Sequence, residues 1–317
     1  MSARGQFDLV GHALIRYDEL PSVQVASNWI ITSTNPNDAW TTLLMKQIGE
    51  WRSILRSTYI RWAMAINGLH VAAAKYEADA SPKKFTVRST RQNPSGPHQE
   101  VIAEYTFKEA AANHLKIQPM LCAHGFIDMY AGLEEMIFGM YRQYLSIHPD
   151  HLMEGAAYRD LRKLRKNAEN SPEEKAAWEE AIRQRLDKWQ RKRLYDGLDN
   201  VLLAFFQNTG LETPAGYTSS TVETWSESIA GVSLIRNLLI HGESRVPQEL
   251  EDFCQKPHGL GFRFKAGELL RLSIIDLQLL ELFCDVLLTA FNLSLMERAS
   301  PELRAQAANR FKKTKKH

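Results

Sequence analysis

The residues best suited to chemistry in this 317-residue chain lie in the stretch Ser233-Leu-Ile-Arg-Asn-Leu-Leu-Ile-His-Gly242. Arg236 and His241 stand on an apolar segment that Gly242 is well placed to terminate as a helix. A guanidinium group can hold a phosphate through two parallel hydrogen bonds and stabilise the charge that develops on it. An imidazole can transfer a proton near neutral pH. Since RNA carries its own nucleophile, the 2′-hydroxyl, these two groups are suited to RNA cleavage.

Helical geometry constrains how these side chains can meet. Asn237 and His241 share one face of an ideal helix, whereas Arg236 and His241 point about 140° apart. The two can converge through the long arginine side chain, a loosened last turn or a second copy of the chain. In the structural alternative, Arg236 pairs with a carboxylate such as Glu134 or Glu135, and Asn237 and His241 only cap the helix.

Two other arginine–histidine pairs have nearly the same spacing. Arg91 and His98 flank a loop in which no rigid element would hold them. Arg142 and His148 form a stronger rival, because this pair also ends a predicted helix and polar Gln143 follows the arginine. The context favours Arg236, because a long apolar helix precedes it by about a hundred residues and another follows it.

The elements that position these residues are predicted to be mainly α-helical. Apolar residues spaced three and four apart predict a long amphipathic helix over residues 40–76. Two β-rich runs around a loop rich in Pro and Gly, between residues 85 and 107, predict a hairpin. Short apolar runs between residues 7 and 31 predict strands or extended chain. Three regions follow: a mixed α/β N-terminal region of unknown role over 1–107, a helical domain over 108–298, and a basic, disordered tail over 299–317.

Residues 115–295 resemble the higher eukaryotes and prokaryotes nucleotide-binding (HEPN) family. The ribonucleases of that family carry Arg, a polar residue, three to five further residues and His near a helix end. Arg236-Asn237-Leu-Leu-Ile-His241 is similar to that pattern residue for residue, with Asn in the polar position. The charged segment from Tyr158 to Arg193 departs from the minimal four-helix version. The resemblance implies that the helical domain over 108–298 is a HEPN-like bundle.

The resemblance also implies a function. Arg236, Asn237 and His241 would be catalytic residues of a metal-independent endoribonuclease with no cofactor. It would leave a 2′,3′-cyclic phosphate and a 5′-hydroxyl, and two motifs would face one another in a homodimer. RNA would be the substrate. The biological role would be that of a toxin or antiviral defence effector, and an antitoxin or another regulatory protein would be a further partner. The alternative is a catalytically inactive HEPN-like module that binds nucleotides or other proteins.

A second group of residues has the charge to contact an RNA backbone. These weaker RNA-binding candidates are Arg162, Lys163, Arg165, Lys166, Arg183, Lys188, Arg191 and Lys192. Trp178 and Trp189 lie among them and could stack on bases. The alternative is a solvated helical hairpin crossed by ion pairs, because several glutamates dilute the positive charge.

Composition narrows the class of protein. The chain has 39 Lys and Arg against 37 Asp and Glu, so its net charge of +2 excludes RNA binding driven by bulk charge. Three cysteines without a Cys-x-x-Cys pair are typical of a reducing cytoplasm. The most apolar segment, residues 269–296, is interrupted by charges and predicts a buried helix instead of a membrane span.

Metal-binding patterns are weak. His148 and His151, and likewise Cys254 and His258, each offer two ligands without a second pair at zinc-site spacing. We therefore expect no metal site.

Overall fold

The computed structural model describes residues 29–314, with side chains up to residue 309. This part of the chain is mainly helical, with one antiparallel hairpin of two strands, which confirms the predicted fold class at that level. The helices are α1 (Ala39–Ala78), α2 (Phe107–Ile147), α3 (Arg159–Asn167), α4 (Pro172–Arg193), α5 (Leu198–Thr209), α6 (Val222–Ile240), α7 (Gln248–Gln255), α8 (Ile274–Ala299) and α9 (Pro301–Thr314). The strands are β1 (Lys84–Asn93) and β2 (Gly96–Thr106).

Local signals in the sequence account for where several helices begin. The side chain of Asn35 accepts a hydrogen bond from the backbone N–H of Asn37 at 3.0 Å, at the start of a short 3-10 turn that leads into α1. Ser171 caps α4, and Pro172 occupies its first turn. The predicted long helix is confirmed as α1. The strands predicted between residues 7 and 31 lie outside the described residues, except for 29–31, which form no strand.

The chain divides into two compact units. In its described part, the first unit consists of residues 57–127 and 271–278 and contains the hairpin. The strand register runs from Lys84 opposite Thr106 to Asn93 opposite Gly96, with an irregularity between Val87 and Arg88. The two strands therefore extend further into the predicted loop than the Pro and Gly residues suggested.

Close packing at Gly125 shows how the first unit is held together. A Cβ atom at this position would lie 2.6 Å from Leu277 Cδ2 and 3.0 Å from Trp62 Cγ. Phe85 of β1 and Tyr76 of α1 meet edge to face, with ring centroids 5.8 Å apart. The hairpin is thus anchored near its base, whereas nearly all residues from 90 to 102 are exposed.

The second unit comprises residues 29–56, 128–270 and 279–314 of the described chain. Its core is aromatic: Phe205 and Phe206 of α5 both pack on Phe291 of α8, with ring centroids 5.9 Å and 5.0 Å apart. Tyr141 of α2 meets Phe205 with ring centroids 5.3 Å apart. These rings fill the space that α2, α5 and α8 enclose, and α6 packs beside α5.

An ion pair in the second unit is expected to matter for stability. Arg52 is 5% exposed, lies 3.1 Å from Asp285, and donates a hydrogen bond to Thr289 Oγ1 at 2.6 Å. We expect Arg52→Leu to lower the free energy of unfolding by about 2 kcal/mol, because it leaves buried polar groups without their partner. Arg56 still contacts Asp285 at 3.3 Å, which limits the loss.

Urea unfolding of the variants tests this expectation. Arg61→Leu is the matched control, because Arg61 is exposed on the same helix and should change stability by no more than about 0.5 kcal/mol. Equal losses for the two variants would contradict the role given to Arg52.

The C-terminal segment differs from its prediction. Residues 301–314 form α9, where composition predicts a disordered tail. Arg304 explains the difference, because its guanidinium donates to Glu297 at 2.8 Å and also pairs with Glu212. A helix of basic composition is therefore tied to the bundle by one buried carboxylate, Glu297, and one exposed carboxylate, Glu212. The proposed division of the chain at residues 107 and 298 stays a prediction.

None of the helices in the described range is both long enough and apolar enough to cross a membrane.

Candidate functional site

Helix α6 carries the predicted site, and its two ends are well defined. At its start Thr221 and Thr224 form a capping box, each side chain bonding the other residue's backbone. At its end the N–H of Glu243 donates to the carbonyl of Leu238 at 2.9 Å, and the N–H of Gly242 donates to that of Leu239 at 3.4 Å. Gly242 has φ +72°, as this left-handed termination requires. The predicted helix stop at Gly242 is confirmed.

Arg236 is half-buried in the last turns of α6. Its guanidinium carbon lies 5.5 Å from the ring centroid of Tyr130 on α2, within cation–π distance. Its Nη1 atom donates to Asn237 Oδ1 at 2.9 Å. Among the described residues no carboxylate oxygen lies within 4.0 Å of the guanidinium, so the ion pair with Glu134 or Glu135 is not formed. The positive charge is therefore held in place without a direct acidic partner among the described residues.

Tyr130 is a site residue that sequence analysis missed. Its hydroxyl lies 2.9 Å from Ser233 Oγ, one turn before Arg236, and 5% of its surface is exposed. In the sequence it belongs to the apolar stripe of α2 and resembles any core residue. A buried tyrosine needs a hydrogen-bond partner for its hydroxyl, and that requirement is the signal that could have identified it.

His241 and Asn237 are exposed, whereas Tyr130, which contacts Arg236, is buried. The backbone of His241 remains helical, with φ −79° and ψ −2°, so the last turn is not loosened. In the described part of the chain no hydrogen bond joins Arg236 to His241. Of the three predicted catalytic residues, Arg236 and Asn237 are therefore joined by a hydrogen bond within one chain, and His241 is not part of that contact.

Glu134 lies one turn beyond Tyr130 on α2 and interacts electrostatically with Arg236. Burial raises the pKa of Glu134 above its ordinary value, and the charge of Arg236 offsets part of that effect. A carboxyl whose pKa is raised by folding destabilises the protein at pH values where it is ionised. That penalty is absent in acid, where the group is protonated in both the folded and the unfolded state.

We therefore expect Glu134→Gln to raise the melting temperature at pH 7 to 8, with a gain that shrinks as the pH falls towards 4. Thermal unfolding between pH 4 and 8 measures this, with the exposed neighbour Glu135→Gln as the matched control. A gain that grows on acidification would contradict the direction of the pKa shift.

The rival pair on α2 has structural partners instead. Arg142 donates to Asp187 Oδ1 at 2.6 Å and to Gln190 Oε1 at 3.0 Å, so α4 holds both ends of its guanidinium. His148 packs against the ring of Tyr144 with centroids 4.7 Å apart, and burial lowers its pKa. Arg142 therefore joins α2 to α4, and His148, the residue after α2, packs back on that helix.

The basic candidates on α3 and α4 fall into two groups. Three are engaged locally: Arg162 donates to backbone carbonyls, Arg165 pairs with Asp150, and Arg183 pairs with Glu180. Trp189 is 7% exposed and packs on Tyr141, so it is not available for stacking on a base. The remaining exposed cations are Lys163, Lys166, Lys188, Arg191 and Lys192.

The weak metal candidates have other contacts. The Tyr144 hydroxyl lies 3.3 Å from His151 Nε2, and His258 Nε2 lies 2.5 Å from Glu227. In the described range no group of three or more His, Cys, Asp or Glu side chains is arranged to hold a metal ion.

Comparison with known proteins found no relative of this chain. The chain matches no model of a known protein family, no curated protein and no solved structure.

Proposed function

We propose that this protein is a metal-independent endoribonuclease of HEPN type, in which Arg236 binds the scissile phosphate and His241 transfers the proton. One observation carries the proposal: Arg236 is held by Tyr130 and Asn237 while no described carboxylate lies within 4.0 Å of its guanidinium. A guanidinium with this environment retains hydrogen-bond donors for a phosphate. Asn237 is exposed beside it and can bind a second phosphate oxygen or help to orient the substrate.

The separation of Arg236 from His241 makes a second copy of the chain part of this proposal. In a two-fold dimer the exposed ends of two α6 helices face one another, because an isologous interface places the same surface on both subunits. The two His241 side chains then act as base and acid. The base removes the proton from the 2′-hydroxyl, which attacks the phosphorus, and the acid protonates the departing 5′-oxygen. The products are a 2′,3′-cyclic phosphate and a 5′-hydroxyl.

RNA cleavage in the presence of EDTA tests the chemistry. Purified protein should leave cyclic-phosphate ends on RNA, and His241→Ala should remove the activity. His98→Ala is the matched control, because His98 is exposed near the tip of the hairpin and belongs to the Arg91 pair that the proposal does not use. Cleavage that persists in His241→Ala, or that requires a divalent metal, would refute the proposal.

The biological part of the proposal is a toxin or defence effector that acts on RNA in the cytoplasm, with a regulatory partner that restrains it. Expression of the wild-type chain should then slow growth, and His241→Ala should relieve the effect. The exposed candidates Lys163, Lys166, Lys188, Arg191 and Lys192 would provide the local contacts to the RNA backbone that a net charge of +2 does not supply. Growth inhibition that survives the substitution would argue against cleavage as its cause.

The alternative is a catalytically inactive HEPN-like module that binds nucleotides or proteins. The exposure of His241, together with the lack of a hydrogen bond from it to Arg236 in the described residues, favours this alternative for a single chain. Sedimentation of the protein with and without RNA separates the two functions. A protein that stays monomeric in both conditions and cleaves no RNA would be the inactive module.

A further inference from the structure

A groove of about 550 Å³ lies in the first unit, between the base of the hairpin and the first half of α2. We call it the hairpin groove and define it by six of its lining residues: Phe85, Val87, Tyr105, Asn113, Lys116 and Met120. Its volume falls within the range of sites that bind small molecules. Arg236 and His241 belong to the second unit, so the hairpin groove does not depend on the proposed catalytic residues.

Two periodic patterns produce the apolar walls of the hairpin groove. On β1, Phe85 and Val87 alternate with exposed residues, and Tyr105 of β2 lies opposite Phe85. One face of α2 supplies the other wall, through residues spaced three and four apart: Ala110, Asn113, Ile117 and Met120. Ile117 is 39% exposed and Met120 54% exposed. The walls therefore present apolar surface that the fold leaves uncovered.

His114 shows that the wall formed by α2 is held in place. Its Nδ1 atom lies 2.7 Å from the carbonyl oxygen of Ala110, and this nitrogen is the donor because a carbonyl can only accept. The ring of His114 also lies 5.3 Å from that of Tyr76 and 6.1 Å from that of Phe85, measured between centroids. These contacts join α1, β1 and α2, so the hairpin groove is formed by packed elements and not by a loop.

The polar groups of the hairpin groove have unused hydrogen-bonding capacity. In the described part of the chain, the side chains of Tyr105 and Asn113 make no hydrogen bond, and Lys116 forms no ion pair. None of the described residues that line the groove is acidic. Glu109, in the first turn of α2, is engaged elsewhere, because its carboxylate accepts hydrogen bonds from the N–H and hydroxyl groups of Thr106 at 2.8 and 2.9 Å. Lys116 therefore gives the groove a positive charge.

This combination restricts the chemistry of a ligand. Apolar walls favour an apolar body, and a single lysine favours a single negative charge. A fully apolar ligand would make no use of Lys116, and a phosphate group would bring about two negative charges to one ammonium group. Ala110 and Met120 are ten residues apart on α2, about 15 Å along the helix, so the apolar wall suits an extended chain.

We propose that the hairpin groove binds a free medium-chain monocarboxylate. The alkyl chain would lie between the apolar residues of the hairpin and those of α2. The carboxylate would accept hydrogen bonds from Lys116 Nζ and from the side-chain amide of Asn113.

Calorimetric titration with octanoate, beside the uncharged 1-octanol, tests the role of the charge. The wild-type protein should bind octanoate more tightly than octanol. Lys116→Gln should weaken octanoate binding about fivefold and leave octanol binding unchanged, because it removes only the charge. Lys108→Gln is the matched control, because Lys108 is exposed on the same helix and does not line the groove.

A second pair of variants tests where the alkyl chain lies. Met120→Trp should abolish binding of both ligands, because Met120 is largely exposed at the groove and a larger ring there fills it without disturbing the core. Leu115→Trp is the matched control, because Leu115 is 43% exposed on α2 and does not line the groove.

Each outcome supports or overturns the proposal. Octanoate binding that Met120→Trp removes and Lys116→Gln weakens, with both controls unchanged, supports the site. Absence of octanoate binding at millimolar concentration, or binding that Met120→Trp leaves unchanged, overturns it. Equal affinity for octanoate and octanol also overturns it, because Lys116 would then have no role.

Discussion

A dimer with one wild-type subunit and one His241→Ala subunit is expected to cleave RNA about 100-fold more slowly than the wild-type dimer. The reason is geometric: His241 is exposed at the end of α6, and in the described residues no hydrogen bond joins it to Arg236 of its own chain. If the two histidines of a dimer act together as base and acid, removal of one leaves a site without either its general base or its general acid. Co-expression of two differently tagged chains and sequential purification give the mixed dimer, whose cleavage rate is measured in EDTA.

The controls for this measurement use the same tags. A mixed dimer of wild-type and His98→Ala chains should retain full activity, because His98 lies near the tip of the hairpin. A wild-type/His241→Ala dimer that keeps about half of the activity would show that each chain works with its own histidine. That result would refute the shared site and leave the ribonuclease activity itself intact.

Replacing Gly231 with alanine is expected to lower the free energy of unfolding by about 3 kcal/mol. A Cβ atom on Gly231 of α6 would lie 2.2 to 2.4 Å from three ring carbons of Phe253 on α7. Phe253 is 6% exposed, so its ring cannot shift away from Gly231 without losing buried packing. The clash outweighs the gain of about 1 kcal/mol that alanine brings to a helix interior.

Urea unfolding of Gly231→Ala, beside Gly68→Ala, isolates the clash. Gly68 also lies within a helix, but a Cβ atom there would meet nothing within 4 Å. Gly68→Ala should therefore stabilise the protein by about 0.5 to 1 kcal/mol. Adding Phe253→Leu to Gly231→Ala should recover part of the loss, because the two side chains are in direct contact. If both alanine variants gained stability, close packing of α7 on Gly231 would be refuted.

Patterns that act over a few residues were predictable from the sequence. The spacing of apolar residues predicted helix α1, and the two β-rich runs predicted the hairpin. Gly242 marked the end of α6, because this helix termination requires a positive φ and glycine adopts a positive φ at little energetic cost. In each case the signal and the structure it specifies lie within the same few turns of chain.

Contacts between distant parts of the chain were not predictable in this way. Tyr130 and Ser233 meet across 103 residues, and Arg142 meets Asp187 across 45. Nothing in the local sequence distinguishes Arg142, which α4 holds, from Arg236, which rests on a tyrosine ring. Likewise, composition predicted a disordered tail where the structure has α9. Arg304 of α9 donates a hydrogen bond to Glu297 of the preceding helix and so stabilises it. Which charges are neutralised depends on the packing of helices.

The termination of α6 has a consequence for how position 241 evolves. Backbone N–H groups of Gly242 and Glu243 satisfy the last carbonyls of the helix, so the histidine side chain is not needed to close it. The side chain is exposed, and folding alone would accept most polar residues in its place. Mutational drift should therefore remove histidine from this position quickly unless a function outside folding preserves it. A deep mutational scan that selects only for folded protein should find position 241 permissive, and one that selects for activity should not.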